Sequence, residues 1–244
     1  MRPALLLLSL LGCGLSHAAE RVVFSQDFSA STELAAYSGP GENRFDVIGA
    51  TDGGEVGMAF GALALSKGAN GKGSAFAIRL SPLGLERPVL HLACDITVSP
   101  EWQGKGGNAL ALVLGEDLKR NANNAAPGRF AQLQIALDAA PACWLLEPAS
   151  RVSSRRFVAG EPLRLGWYIN GSEAPVFYTG PDGASYQLPP RTMDAWIGKA
   201  RTLPGLTVQD PARAPRQLSI GIGGSGLTHA SFLIDNLVIA ELAP

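Results

Sequence analysis

The sequence predicts an all-β fold, a two-sheet antiparallel jelly-roll sandwich with few short helices. Three observations predict it. Apolar residues recur at every second position in one segment after another, as strands with one buried face require. Clusters of turn-forming residues separate those segments at short intervals, the spacing of a sandwich or barrel. Helical periodicity is almost absent.

Taken in order, the first run places Val22, Phe24 and Phe28, and Ser31 to Tyr37 follows as a short helix candidate. Phe76, Ile78 and Leu80 alternate with Ala77 and Arg79. Leu90, Leu92, Cys94, Ile96 and Val98 form the longest alternation, with His91, Ala93, Asp95 and Thr97 opposite. Leu110, Leu112 and Leu114 repeat the pattern, as do Leu133, Ile135 and Leu137. Residues 116–127 are polar and rich in Ala and Asn, and read as a long exposed loop. Leu163, Leu165, Trp167 and Ile169 define a further strand, and Thr192 to Ala200 reads as the second helix candidate. From Ala230 to Leu242 the chain is nearly all apolar, as expected of a central strand covered on both faces. Between the runs stand Ser38-Gly39-Pro40-Gly41, Thr51-Asp52-Gly53-Gly54, Asn170-Gly171 and Pro181-Asp182-Gly183, all with known turn chemistry.

The first residues bear on compartment. Arg2 precedes an apolar run from Ala4 to Leu11, and small residues lead to Ala18 and Ala19. This is the pattern of a secretory leader, residues 1–18 with the cut before or after Ala19. Residues 19–244 then form one domain, secreted or periplasmic. The run Leu10-Leu11-Gly12-Cys13 offers an alternative, a lipoprotein anchored at Cys13. No later segment approaches the roughly 20 apolar residues of a membrane-spanning helix. The full chain carries a net charge of −1, and losing Arg2 with the leader makes it more negative. A nucleic-acid partner, which needs a clustered basic face, is therefore excluded.

Two cysteines follow the leader, Cys94 and Cys143. In an oxidising compartment they either bridge or sit as two separate buried thiols, and the pattern leaves both open.

Motifs for chemistry are few. Gly221-Ile222-Gly223-Gly224-Ser225-Gly226 has dinucleotide-loop spacing, but a strand follows where a pyrophosphate site needs a helix. There is no Gly-x-Ser-x-Gly elbow. His91 and His229 lack the partners of a zinc site. Carboxylates two apart, which would share a strand face, do not occur. Aromatic faces that could stack on sugar rings are available at Trp102, Tyr168, Tyr178 and Trp196, while Trp167 falls on an apolar face and reads as core.

Phe24-Ser25-Gln26-Asp27-Phe28 near the start and Phe232-Leu233-Ile234-Asp235-Asn236-Leu237 near the end resemble the terminal strands of secreted bacterial jelly-rolls of the concanavalin A-like lectin/glucanase and carbohydrate-binding-module type. Trp167-Tyr168-Ile169-Asn170-Gly171, Phe177-Tyr178 and Ala195-Trp196-Ile197 fit the same type. The resemblance implies a structural calcium clipping the terminal strands through Asp27 and Asp235, with no other cofactor. The fold pattern, the export signal and the absence of a catalytic constellation together point to a non-catalytic module whose concave face binds extracellular polysaccharide, with Trp102, Tyr168, Tyr178 and Trp196 as the candidate contacts. The alternatives are a polysaccharide hydrolase or lyase of the same fold, and a structural envelope module without a small ligand.

Overall fold

The computed structural model describes residues 20–68, 73–101, 103–104, 107–120, 128–137, 142–146, 157–223 and 227–242. Residues 1–19, with the expected leader and Cys13, lie outside them, as does Trp102. In chain order the strands are β1 (Glu20–Gln26), β2 (Val47–Thr51), β3 (Glu55–Ala59), β4 (Ala62–Lys67), β5 (Ser74–Arg79), β6 (Val89–Val98), β7 (Gln103–Gly104), β8 (Gly107–Gly115), β9 (Arg129–Leu137), β10 (Ala142–Leu146), β11 (Phe157–Val158), β12 (Pro162–Asn170), β13 (Val176–Thr179), β14 (Ser185–Leu188), β15 (Thr192–Ile197), β16 (Ala200–Thr207), β17 (Gln217–Ile222) and β18 (Leu227–Leu242).

They form two large antiparallel sheets. One runs β16-β15-β12-β6-β18-β4-β3, with β1 and β7 also joined to β18. The other runs β11-β10-β9-β8-β17-β5-β2, and β13–β14 is a separate hairpin. The inner faces share one core. Leu90, Leu112, Leu133 and Leu165, from four strands and both sheets, are fully buried in a single cluster. Each such side chain contributes roughly 1.5–3 kcal/mol of burial. Trp167 lies in the same cluster, as its apolar face predicts, and its indole N–H points at Met193 Sδ at 3.3 Å.

Strand β18 organises the first sheet. Its first half pairs with β4, from Ala230 opposite Lys67 to Ile234 opposite Leu63. Its second half pairs with β1, from Leu237 opposite Gln26 to Leu242 opposite Glu20. Strand β6 runs along the other side of both halves. The changeover falls at a bulge between Asp235 and Val238, where Asn236 has φ +47°. The central strand expected at 230–242 is thus present, but its two faces are not both covered: Ser231, Leu233 and Asp235 are half-buried and Asn236 is exposed.

Two helix expectations resolve differently. Within Ser31–Tyr37 a single 3-10 turn forms at Leu34–Ala36. Thr192–Ala200 is not helical; its first six residues are β15. Met193, Ala195 and Ile197 enter the main core, while Trp196 joins a second cluster on the opposite face. With both faces covered, the period-two signal disappears from the sequence.

Strand β5 also departs from its expected facing. Ala75 and Ala77 line the core, and Phe76 and Ile78 are buried on the other face. The register explains it, because Phe76 lies opposite Gly49 on one neighbour and Gly221 on the other. Two glycines leave a trough that the ring fills. In the polar segment after β8, Leu118 is buried, and residues 121–127 lie outside the described ones.

Cys94 carries a free, fully buried thiol, and burial pushes its pKa up to about 12. Cys94 sits mid-sheet on β6, and Cys143 belongs to β10 of the facing sheet, its side chain outside the described residues.

Candidate functional site

On its outer face the β6–β12–β15 region carries two clusters of opposite character. The first is aromatic. Tyr168 projects outward from β12 and stacks on His91 of β6, centroids 4.0 Å apart. Tyr178, from the β13–β14 hairpin, stacks on the other side of Tyr168 at 4.0 Å, and Tyr186 follows at 5.6 Å. Trp196 meets Tyr178 and Tyr186 edge-on. The hairpin lies over this stack, so Tyr168, Tyr178 and Trp196 are 4%, 5% and 0% exposed.

Polar groups fasten the hairpin down. Asn170, fully buried at the end of β12, donates from Nδ2 to the carbonyls of Ala174, Leu188 and Pro189 at 2.8–3.0 Å. Beneath it Asp194, also fully buried, accepts from the Tyr178 hydroxyl at 2.5 Å and from the Gly205 N–H at 2.8 Å. It pairs with Arg201 at 2.6 Å. Burial, reinforced by the bond to Asp194, drives the Tyr178 pKa far above its usual value, so the hydroxyl stays a donor. Gly180 lets the layers approach: a Cβ there would lie 2.8 Å from the rings of both Trp196 and Tyr186. Three of the four aromatics expected to meet a ligand are therefore structural, and a second small core occupies the place assigned to them.

The second cluster is polar and open. A groove of about 570 Å³ lies where β1, β6, β12 and β18 converge, lined by Ser25, Gln26, Asp27, Asn43, Asp95, Arg164 and Asn236, with Leu237 and Val238 completing the lining. Arg164 Nη1 reaches Asp95 at 3.3 Å and the Asn236 carbonyl at 3.2 Å. Asn236 Nδ2 donates to Asp95 at 2.8 Å, and its backbone N–H to Asp235 at 2.7 Å. On the far wall Asn43 Oδ1 accepts from the Ser25 N–H, and Gln26 Nε2 donates to the Asn43 carbonyl, both at 2.8 Å. Asp27 accepts from the Ser29 N–H at 3.1 Å, which holds its carboxyl below the usual range.

Three left-handed non-glycine residues fall at or beside the groove. Asn43 and Asn236 line the groove with φ +54° and +47°, and Phe28, next to Asp27, has φ +53°. Left-handed conformations at non-glycine residues cost about 1–2 kcal/mol each, more readily borne by Asn than by Phe. The Phe28 ring is held by complete burial against Tyr37 and Phe45. Strain of this kind collects where a fixed arrangement is needed.

Of the pair that resemblance assigned to calcium, Asp27 lines the groove and Asp235 flanks Asn236 at the β18 bulge. Among the described residues, no group of three or more His, Cys, Asp or Glu is placed to hold a metal.

One aromatic stands free. The β3–β4 turn is Phe60-Gly61, with φ +54° and +75°, and Phe60 is 97% exposed. These angles belong to a tight hairpin turn that favours Asn-Gly. Sequence reasoning passed over Phe60 because a Phe-Gly pair inside an apolar run gives no turn signal. Arg164 and Asn43 escaped it too, since only the fold brings them together.

No family model matches the sequence, and no curated protein matches it. Solved structures do. A conserved carbohydrate esterase from Shiga toxin-encoding bacteriophage phi24B superposes with a TM-score of 0.54 at 16% identity, over 92% of this chain and 100% of that one. The carbohydrate recognition domain of Emp47p gives 0.55 at 8% identity, over 91% and 98%. A sialidase gives 0.56 at 13% identity over 91% of this chain, which spans only 19% of the sialidase. At these identities the likeness establishes the lectin-type jelly-roll fold and nothing finer. Among the described residues no helix is long and apolar enough to cross a membrane.

Proposed function

We propose that this chain is an exported, non-catalytic glycan-binding jelly-roll that holds sugar hydroxyls in the groove between β1, β6, β12 and β18. One observation carries the reading: amide, guanidinium and carboxylate groups converge there on a strained, prearranged backbone. Vicinal hydroxyls both donate and accept, and such a mixed set answers both. Val238, half-buried beneath the groove, offers apolar surface that suits the carbon face of a ring. Structural neighbours named for carbohydrate recognition and carbohydrate ester cleavage share the fold and support the glycan reading.

A second reading, glycoside hydrolysis, draws on one feature. Asp95 and Asp235 face each other across the β6–β18 pair, and both lie within reach of Asn236 Nδ2, at 2.8 and 3.4 Å. Opposed carboxylates are what sugar cleavage requires. The bond from Asn236 and the Arg164 ion pair tie Asp95 into the wall instead.

Affinity electrophoresis through gels containing neutral polysaccharides (dextran, xylan, mixed-linkage glucan) or acidic ones (polygalacturonate, alginate) tests both. Expected is retardation in at least one gel, weakened at least tenfold in Arg164→Ala, with no reducing ends released. Free migration of the unmodified protein in every gel would sink the reading; release of reducing ends that Asp235→Asn abolishes would install the hydrolase.

A further inference from the structure

The geometry points to Phe60 as an aromatic platform that stacks on a pyranose ring held by the polar groove. This rests on the glycan reading above and extends it to a specific residue and binding mode.

Register brings the two together. Leu63 of β4 pairs with Ile234 of β18, so the turn one to three residues earlier arrives level with Asp235 and Asn236. Strand β1 takes over as the neighbour of β18 immediately beyond, with Gln26 opposite Leu237. The β3–β4 tip and the Gln26–Asp27 end of β1 therefore abut at the bulge that forms the groove. With strands about 4.8 Å apart and a rise of about 3.4 Å per residue, the Phe60 backbone stands roughly 10 Å from that of Asn236. That separation is the span of a sugar ring with its hydroxyls.

The tip is built to present a ring. Ala59 pairs with Ala62, and hypothetical Cβ atoms at Gly57 and Gly61 meet nothing. Small flanking residues leave the Phe60 ring bare, in a conformation that penalises any side chain but suits Gly or Asn best. A fully exposed phenylalanine in that position contributes nothing to the core and occupies a strained site. A bare ring held in a strained turn beside a polar groove is placed to contact something outside the chain. The neighbouring charges select among occupants. Asp27, Asp95 and Asp235 outnumber Arg164 around the groove, so an anionic lipid surface is repelled, whereas a hydroxylated ring meets donors and acceptors. Aromatic rings stack on the apolar C–H faces of sugars.

The test uses the full exported chain and the polysaccharide gels described above, with Phe60→Asn, Phe60→Ala and Phe60→Trp. Expected is at least tenfold weaker retardation for Phe60→Asn and Phe60→Ala, with retention kept or strengthened in Phe60→Trp. Thermal melting should show Phe60→Asn as stable as the parent or more so, since Asn suits the turn. Two outcomes overturn the inference while sparing the glycan reading: retardation of both truncations within twofold of the parent, or loss of binding to phosphatidylglycerol vesicles in Phe60→Asn without loss of polysaccharide retention. Free migration of the parent in all gels overturns both.

Discussion

The aromatic stack and the polar groove sit on the same face of the same sheet and share the strands β6 and β12, yet they are built in opposite ways. In the stack, Tyr168, Tyr178 and Trp196 are sealed under a hairpin and bound to a buried carboxylate. In the groove, Arg164, Asn43, Asn236 and Asp27 remain open to solvent, and the two asparagines hold left-handed backbone. Large apolar rings are worth most where water is excluded. Polar groups keep their hydrogen-bonding capacity for a ligand only where they are not fully spent on the protein itself. The stack thus supplies stability and the groove supplies open polar surface, and an aromatic residue at a sheet surface is weak evidence of binding until its cover is known.

Variants can break this comparison, beginning with the largest effect. Asp194→Ala removes the acceptor for Tyr178 and Gly205 and the partner of Arg201. Breaking a buried pair by deleting one member costs about 3–5 kcal/mol, with the lower end expected because Arg201 is partly exposed. Urea unfolding measures it, and a loss below about 1 kcal/mol would show that the network does not secure the hairpin. Gly180→Ala drives a methyl into the Trp196 and Tyr186 rings and should cost about 1–3 kcal/mol by overpacking. Its signature is a red shift of tryptophan fluorescence as the hairpin lifts; an unshifted spectrum would mean the layers have slack. Arg164→Ala comes last, at under about 1 kcal/mol in stability, because the pair it forms with Asp95 is solvent-exposed. A much larger loss would move Arg164 from the ligand surface to the scaffold.

The layers of this molecule were legible in the sequence where one face of a strand meets solvent. Leu90 to Val98, Leu110 to Leu114 and Leu133 to Leu137 announce themselves because polar residues alternate with the core. The signal fails where both faces are covered. Met193 to Ile197 reads as helical since the hairpin hides the second face, and Phe76 is assigned to the wrong side because only its neighbours' glycines explain its position. At the site, Asp27 and Asp235 were visible as features of the terminal strands. The rest of the groove was not, because Asn43, Asp95 and Arg164 come from three separate stretches and become neighbours only through register. Tyr168 was correctly placed on the outer face; its covering hairpin, closed by Asn170, was the missing piece.

Strand β18 also governs how the molecule can come into being. It hydrogen-bonds to β1, β4, β6 and β7 and follows all of them in chain order. A nascent chain holding only the earlier strands still has β1 and β4 without their common partner, so one half of the sandwich has no seam. Acquisition of the native state must therefore wait for β18 and proceed through distant pairings, which are slow to find. Removing Ala240 to Leu242 would leave Glu20 to Val22 without their strand partners.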